Sequence, residues 1–119
     1  PHCRADIDLM NELFARYQEK GVSILTLSVD QNVEQLERFA REHTMRYPVI
    51  AVYGQPKERD LSDLPERYDM QGVPNYFLIG ADGMIVKRIA GSITESNYDI
   101  ERDLNELLAA RPVRVSREP

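Results

Sequence analysis

Gly72-Val73-Pro74-Asn75-Tyr76-Phe77-Leu78-Ile79-Gly80-Ala81-Asp82-Gly83-Met84-Ile85-Val86 is the stretch that decides the fold. The apolar run Tyr76–Ile79 reads as a β-strand, bounded upstream by a Gly-x-Pro turn. Asp82-Gly83 supplies the positive φ angles that tight hairpin turns require, so Met84 to Ala90 is the returning strand and Gly91 breaks it.

Before this hairpin the pattern changes. Val22 to Val29 (VSILTLSV) is rich in β-branched residues and short, as expected of a strand buried on both faces. Asn32, with Gln35 three positions later, opens a helix in which Val33, Leu36, Phe39 and Ala40 form one face, running to about His43. Pro48-Val49-Ile50-Ala51 reads as a further short strand, and the polar segment Tyr53–Leu61 as a loop. Ser62 or Asp63 caps a short helix through about Tyr68, with Pro65 tolerated in its first turn. After the hairpin, Thr94 or Ser96 opens a last helix whose face is Ile100, Leu104, Leu107 and Leu108.

The N-terminal segment from Cys3 to Lys20 is helical by periodicity. Ile7, Met10, Phe14 and Tyr17 recur at helical spacing, Leu9 and Leu13 widen the stripe, and Gly21 ends it. Pro1 suits the first turn, where its missing N–H would have had no partner. Cys3 lies in that turn and Asp6 one turn further on the same side. The element order predicts an α/β fold, a mixed sheet with helices on both faces, in one domain over 1–110 with a tail at 111–119.

Composition narrows the function classes. The chain of 119 residues has 15 basic and 20 acidic residues, a net charge of -5, which argues against a nucleic-acid surface. No apolar run reaches the roughly 20 residues of a membrane span, so no membrane contact is expected of this domain. His2 and His43 with a single cysteine make no zinc-site spacing, and neither a metal nor a cofactor is expected. His43 reads as a residue at a helix end. A lone cysteine cannot pair within the chain: it is a buried structural thiol, a reactive thiol, or half of a pair.

Pro1-His2-Cys3-Arg4 looks like the back half of a Cys-Pro-His-Cys motif, and Pro1-His2-Cys3-Arg4-Ala5-Asp6 resembles Cys-x-x-Cys-Arg-Ala-Glu. Together with Gly21–Asp30, Tyr68–Ile79 and the Ala81–Val86 turn, these residues make the chain similar to thioredoxin-fold proteins. It most resembles the TlpA/ResA-like group of extracytoplasmic thiol–disulfide oxidoreductases. The resemblance implies a cis peptide at Val73-Pro74, with Val73 offering backbone groups to an extended partner segment much as in strand addition. It implies that Cys3 resolves a mixed disulfide and that His2 tunes thiolate stability, favouring an oxidising couple. Asp6 either handles a proton for Cys3, a task suited to a raised carboxyl pKa, or complements a helix dipole. A proline that the family often carries two residues after this carboxylate is here Asp8. Pro1-His2 with Val73-Pro74 resembles DsbA-type oxidases at those positions alone.

The resemblance further implies protein thiols and disulfides as partners, together with an upstream redox partner. It also implies a periplasmic setting, compatible with an anchor upstream. It places a central strand, and the attacking cysteine, before Pro1. That strand would lie between Val22–Val29 and Tyr76–Ile79, leaving them about 10 Å apart rather than about 4.8 Å. The chain is therefore expected to be a fragment of a longer molecule. Two rivals stand beside this reading. A peroxiredoxin would place its cysteine in a Pro-x-x-x-Thr-x-x-Cys context, of which only two residues could be read here, and Cys3-Arg4-Ala5-Asp6 fits the dithiol group better. A redox-inactive thioredoxin-like module would use the Pro74 groove only to dock partners.

Overall fold

The computed structural model describes residues 2–70 and 72–110, with side chains from Arg4 onward. Pro1 and the tail expected at 111–119 lie outside the described residues.

Helix α1, His2–Tyr17, is the element against which the rest is built. Its stripe Ile7, Met10, Leu13 and Tyr17 is buried, and Leu13 is only 1% exposed. A single 3-10 turn, Gln18–Lys20, tightens its end, and Gly21 stops it with a φ of 92° that a side chain with a Cβ rarely adopts. Met10, Leu13 and Tyr17 share a core with Tyr47, Leu78, Ile89, Ile93 and Ile100, drawn from nearly the whole chain. The Tyr17 hydroxyl donates to Glu101 and Asn105, and Arg16 meets Glu101 at 2.8 Å, so the last helix is tied to the far end of α1.

Strand β1 is Thr26–Ser28, shorter than the Val22–Val29 run suggested. It pairs in parallel with β2, Val49–Ala51, with Leu27 opposite Ile50. Between them α2, Val33–Glu42, begins as its sequence predicts, with the Asn32 side chain accepting from the Gln35 N–H at 3.0 Å. The expectation of a strand buried on both faces fails. Leu25 and Leu27, alternate side chains on one face, are 57% and 37% exposed, whereas Val22 and Ile24 on the other face pack against the core.

The Tyr53–Leu61 loop contains one 3-10 turn, Lys57–Arg59, and α3 follows at Leu64–Arg67 with Pro65 in its first turn. Asp63 makes no side-chain cap there; instead Asp60 accepts from the Ser62 N–H. Strands β3, Asn75–Ile79, and β4, Ile85–Ala90, form the expected antiparallel hairpin. Its turn is wider than a two-residue Asp-Gly turn: Gly80 and Met84 pair at 2.9 Å, and only Gly83 of the two takes a positive φ, 84°. Asp82 keeps its backbone in the ordinary region and uses its side chain to accept from the Met84 N–H.

The single last helix of the sequence reading is two. Helix α4, Ile93–Ser96, is capped by Ser92 and ended by Asn97 in a left-handed conformation; α5 is Ile100–Ala110. Asp99 accepts from the Arg102 N–H at the start of α5. The two strand pairs form separate two-stranded sheets, one parallel and one antiparallel, rather than one continuous mixed sheet. The fold is α/β with helices around small sheets, and β1 and β3 share no ladder.

Candidate functional site

The expected site has two halves, and the structure joins them through Asp6. His2 and Cys3 form the first turn of α1 by their backbone; their side chains lie outside the described residues. Asp6, one turn on, is buried at 3% exposure. The second half is the turn before β3, where the Val73-Pro74 peptide is cis and the Val73 side chain is 65% exposed.

This turn is held from several directions. The Pro74 carbonyl accepts from the Gly91 N–H at 2.9 Å, extending the hairpin ladder by one bond. The Asn75 side-chain amide donates to the Gly72 carbonyl across the turn. Arg88 on β4 donates to the Asp69 carbonyl and lies 5.2 Å over the Phe77 ring, against whose edge Tyr68 packs at 5.0 Å. Asp69 itself has a φ of 50°, uncommon for a residue with a Cβ.

Tyr76, two residues after Pro74, reaches across to α1. Its hydroxyl donates to one Asp6 oxygen at 2.5 Å, and the Ile93 N–H donates to the same oxygen at 3.1 Å. The other Asp6 oxygen accepts from the Ser92 hydroxyl at 2.8 Å and the Thr94 N–H at 3.0 Å. An ionised carboxylate offers about four acceptor positions, and here all are filled. Burial pushes the Asp6 carboxyl up, but the hydrogen bonds from Tyr76, Thr94 and Ser92 outweigh it and hold it below the usual carboxylate range. The shift is opposite to the raised value that proton handling would favour. The two backbone donors belong to the first turn of α4, not of α1.

Sequence reading named Asp6, Val73 and Pro74 but missed Tyr76, Ser92 and the α4 N–H groups. One local signal was available: Ser92-Ile93-Thr94-Glu95 has the Ser-x-x-Glu form of a capping box, and Ser92 accepts from the Glu95 N–H at 3.1 Å. Nothing local marks the Tyr76–Asp6 contact, which spans 70 positions. His43 is the C-cap of α2, with its ring 4.2 Å from that of Phe39. Among the described residues no cluster of three or more His, Cys, Asp or Glu could hold a metal ion, and no helix is long and apolar enough to cross a membrane.

Comparison with known proteins gives this geometry a lineage. The model of the AhpC/TSA family matches residues 1–88, well over half of the chain. The chain is 29% identical over 97 residues to a thiol-disulfide oxidoreductase ResA of Bacillus cereus, covering 82% of the chain and 52% of that protein. It is 30% identical over 97 residues to ResA of Bacillus thuringiensis (strain Al Hakam), with the same coverage. The chain thus spans about half the length of these curated relatives. Among solved structures, a putative thiol:disulfide interchange protein DsbE from Chlorobium tepidum superposes with a TM-score of 0.76 at 22% identity, over 91% of this chain and 72% of its own. The overall thioredoxin-like fold expected from the sequence is thereby established, its sheet divided as described. The chain belongs to the AhpC/TSA family and is a thioredoxin-fold protein of the ResA/TlpA-like kind.

Proposed function

We propose that this chain is part of a thiol–disulfide oxidoreductase that exchanges disulfides with protein partners, with Cys3 as the second thiol of a Cys-x-x-Cys site. In this reading the residue before Pro1 is the attacking cysteine. Its thiolate attacks one sulfur of a partner disulfide, forming a mixed disulfide and releasing the other partner sulfur as a thiolate. The Cys3 thiolate then attacks the mixed disulfide, closing a disulfide with the first cysteine and releasing the second partner thiolate. The partner gains two electrons and the cysteine pair loses them; the reverse sequence oxidises a partner.

The other roles follow from position. The N-terminus of α1 favours thiolates in its first turn, and a protonated His2 between the two sulfurs adds to that preference. The exposed turn at Val73-Pro74 holds an extended partner segment by its backbone. The partner is a protein thiol or disulfide, re-supplied by an upstream redox protein, in an extracytoplasmic setting. An extended segment preceding Pro1 lies between β1 and β3, which share no ladder.

The observation that carries the reading is the Asp6–Tyr76 hydrogen bond, which fastens the helix bearing Cys3 to the strand that follows Pro74. The test is catalysed exchange with a model disulfide by the protein carrying its natural sequence upstream of Pro1. The reading expects turnover that is lost in Cys3→Ala. A protein with no cysteine before Pro1 and no exchange would instead be a redox-inactive docking module.

A further inference from the structure

The filled Asp6 carboxylate bears on how the site is assembled. It rests on the proposed roles of Cys3 and Val73-Pro74 and goes beyond them. A group that passes a proton needs an acceptor position that opens towards the reacting sulfur. Each Asp6 oxygen already accepts two bonds, from Tyr76 and the Ile93 N–H and from Ser92 and the Thr94 N–H. Protonating either oxygen would cost at least one of these donors its partner in a buried place. The four donors come from two segments that lie 70 to 88 positions away in the chain. One is β3, directly after Pro74; the other is the cap and first turn of α4, directly after β4.

We propose that Asp6 and Tyr76 form a positioning link that fastens α1, whose first turn carries Cys3, to the strand that follows Val73-Pro74. Asp6 stays ionised and does not exchange a proton with Cys3. Ser92 and α4 fix the carboxylate in place, and Tyr76 carries its position to the strand. Tyr76 is thus a positioning residue that acts on Cys3 through Asp6. It lies two residues after Pro74, in β3.

The probe is Cys3, the single cysteine of these 119 residues, in the protein carrying its natural sequence upstream of Pro1 with every cysteine there replaced by serine. Its alkylation by iodoacetamide is followed against pH in the wild type, Tyr76→Phe, Asp6→Asn and the double variant, with far-UV circular dichroism to check folding. Tyr76→Phe keeps the ring and removes only the hydroxyl. It is expected to change the Cys3 rate at neutral pH by about twofold or more, the low end of coupling within one hydrogen-bonded network, and to move the midpoint of the pH profile. Asp6→Asn is expected to act in the same direction, and the double variant to match Asp6→Asn alone. A wild-type profile in Tyr76→Phe, or effects that add in the double variant, overturns the link. Should Asp6→Asn fail to fold, the Tyr76→Phe profile decides by the same criterion. Absence of disulfide exchange by the protein with its natural upstream sequence unaltered, alongside this alkylation signature in the single-thiol form, removes the enzymatic reading and leaves the link standing.

Discussion

The two halves of the molecule are held together very differently. On one side α1, the β3–β4 hairpin, α4 and α5 share a buried core centred on Leu13 and Ile93, each 1% exposed, and a buried carboxylate that ties α1 to β3 and α4. On the other, Val52 after β2 is buried at 2% exposure, but β1 and α2 leave Leu25, Leu27, Val33 and Phe39 exposed and of α2 only Leu36 is buried. In the first half the exposed large apolar residues, among the described ones, are confined to Val73 and the hairpin tip, Ile79 and Met84 to Val86. The candidate site lies entirely in the first half. The hydrogen bonds that tie Asp6 to Tyr76, Ser92, Ile93 and Thr94 all fall within this half.

The contrast can be tested by substitution. Leu13→Ala should destabilise the protein most, by about 3 to 4 kcal/mol, the usual range for emptying a fully buried leucine site. Urea denaturation would measure it, and a loss under about 1 kcal/mol would contradict the placement of the core. Asp6→Ala should follow at about 3 kcal/mol, because two hydroxyls and two N–H groups lose their acceptor in a buried place. Ser92→Ala should cost about 1 kcal/mol as the loss of a helix cap. Leu27→Ser, in the other half, should change stability by no more than about 0.5 kcal/mol, as at exposed positions generally. A large effect there would mean that β1 is covered.

Acid should act first on the tight half. The folded Asp6 pKa is lower than its unfolded value, so its contribution is fully present above the unfolded pKa of about 3.9 and is lost as pH falls through the lower folded value. Asp103, held down chiefly by its bond from Tyr98, and Glu101, held down chiefly by Arg16, lose stability in the same direction. Asp6→Asn should therefore flatten the acid limb of a stability–pH curve, measured by urea midpoints from about pH 6 downward. An unchanged slope would show that Asp6 has an ordinary pKa. The smallest effect belongs to Arg88→Ala, which should speed amide exchange around Gly72 and Val73 without altering the exchange of α1, since Arg88 donates to the Asp69 carbonyl and lies over the Phe77 ring.

Long periodic or sharply punctuated elements could be read from the chain. The α1 stripe repeats along the whole helix, Asn32 caps α2 through Gln35, and Asp82-Gly83 marks the hairpin. Short elements were harder. The run from Val22 to Val29 has strand propensity throughout, but β2 supplies only three residues of partner, so β1 is no longer than that. Helix α4 has a single turn, too little for any periodicity, and its cap lies two residues before Thr94. The positions proposed for the site, Cys3, Asp6 and Val73-Pro74, each lie in a local pattern that the sequence displays. The bonds that Asp6 accepts do not, because Tyr76, Ser92 and Thr94 meet it only once the hairpin has packed on α1.

The most direct test of the functional account is a trapping experiment on the protein with its natural sequence upstream of Pro1. Cys3→Ser removes the resolving thiol and leaves the attacking one, so a mixed disulfide with a substrate protein should accumulate and dissolve on reduction. Absence of any such adduct in Cys3→Ser, with the variant folded and a disulfide substrate in excess, would contradict the assignment of Cys3 as the second thiol of an exchange site.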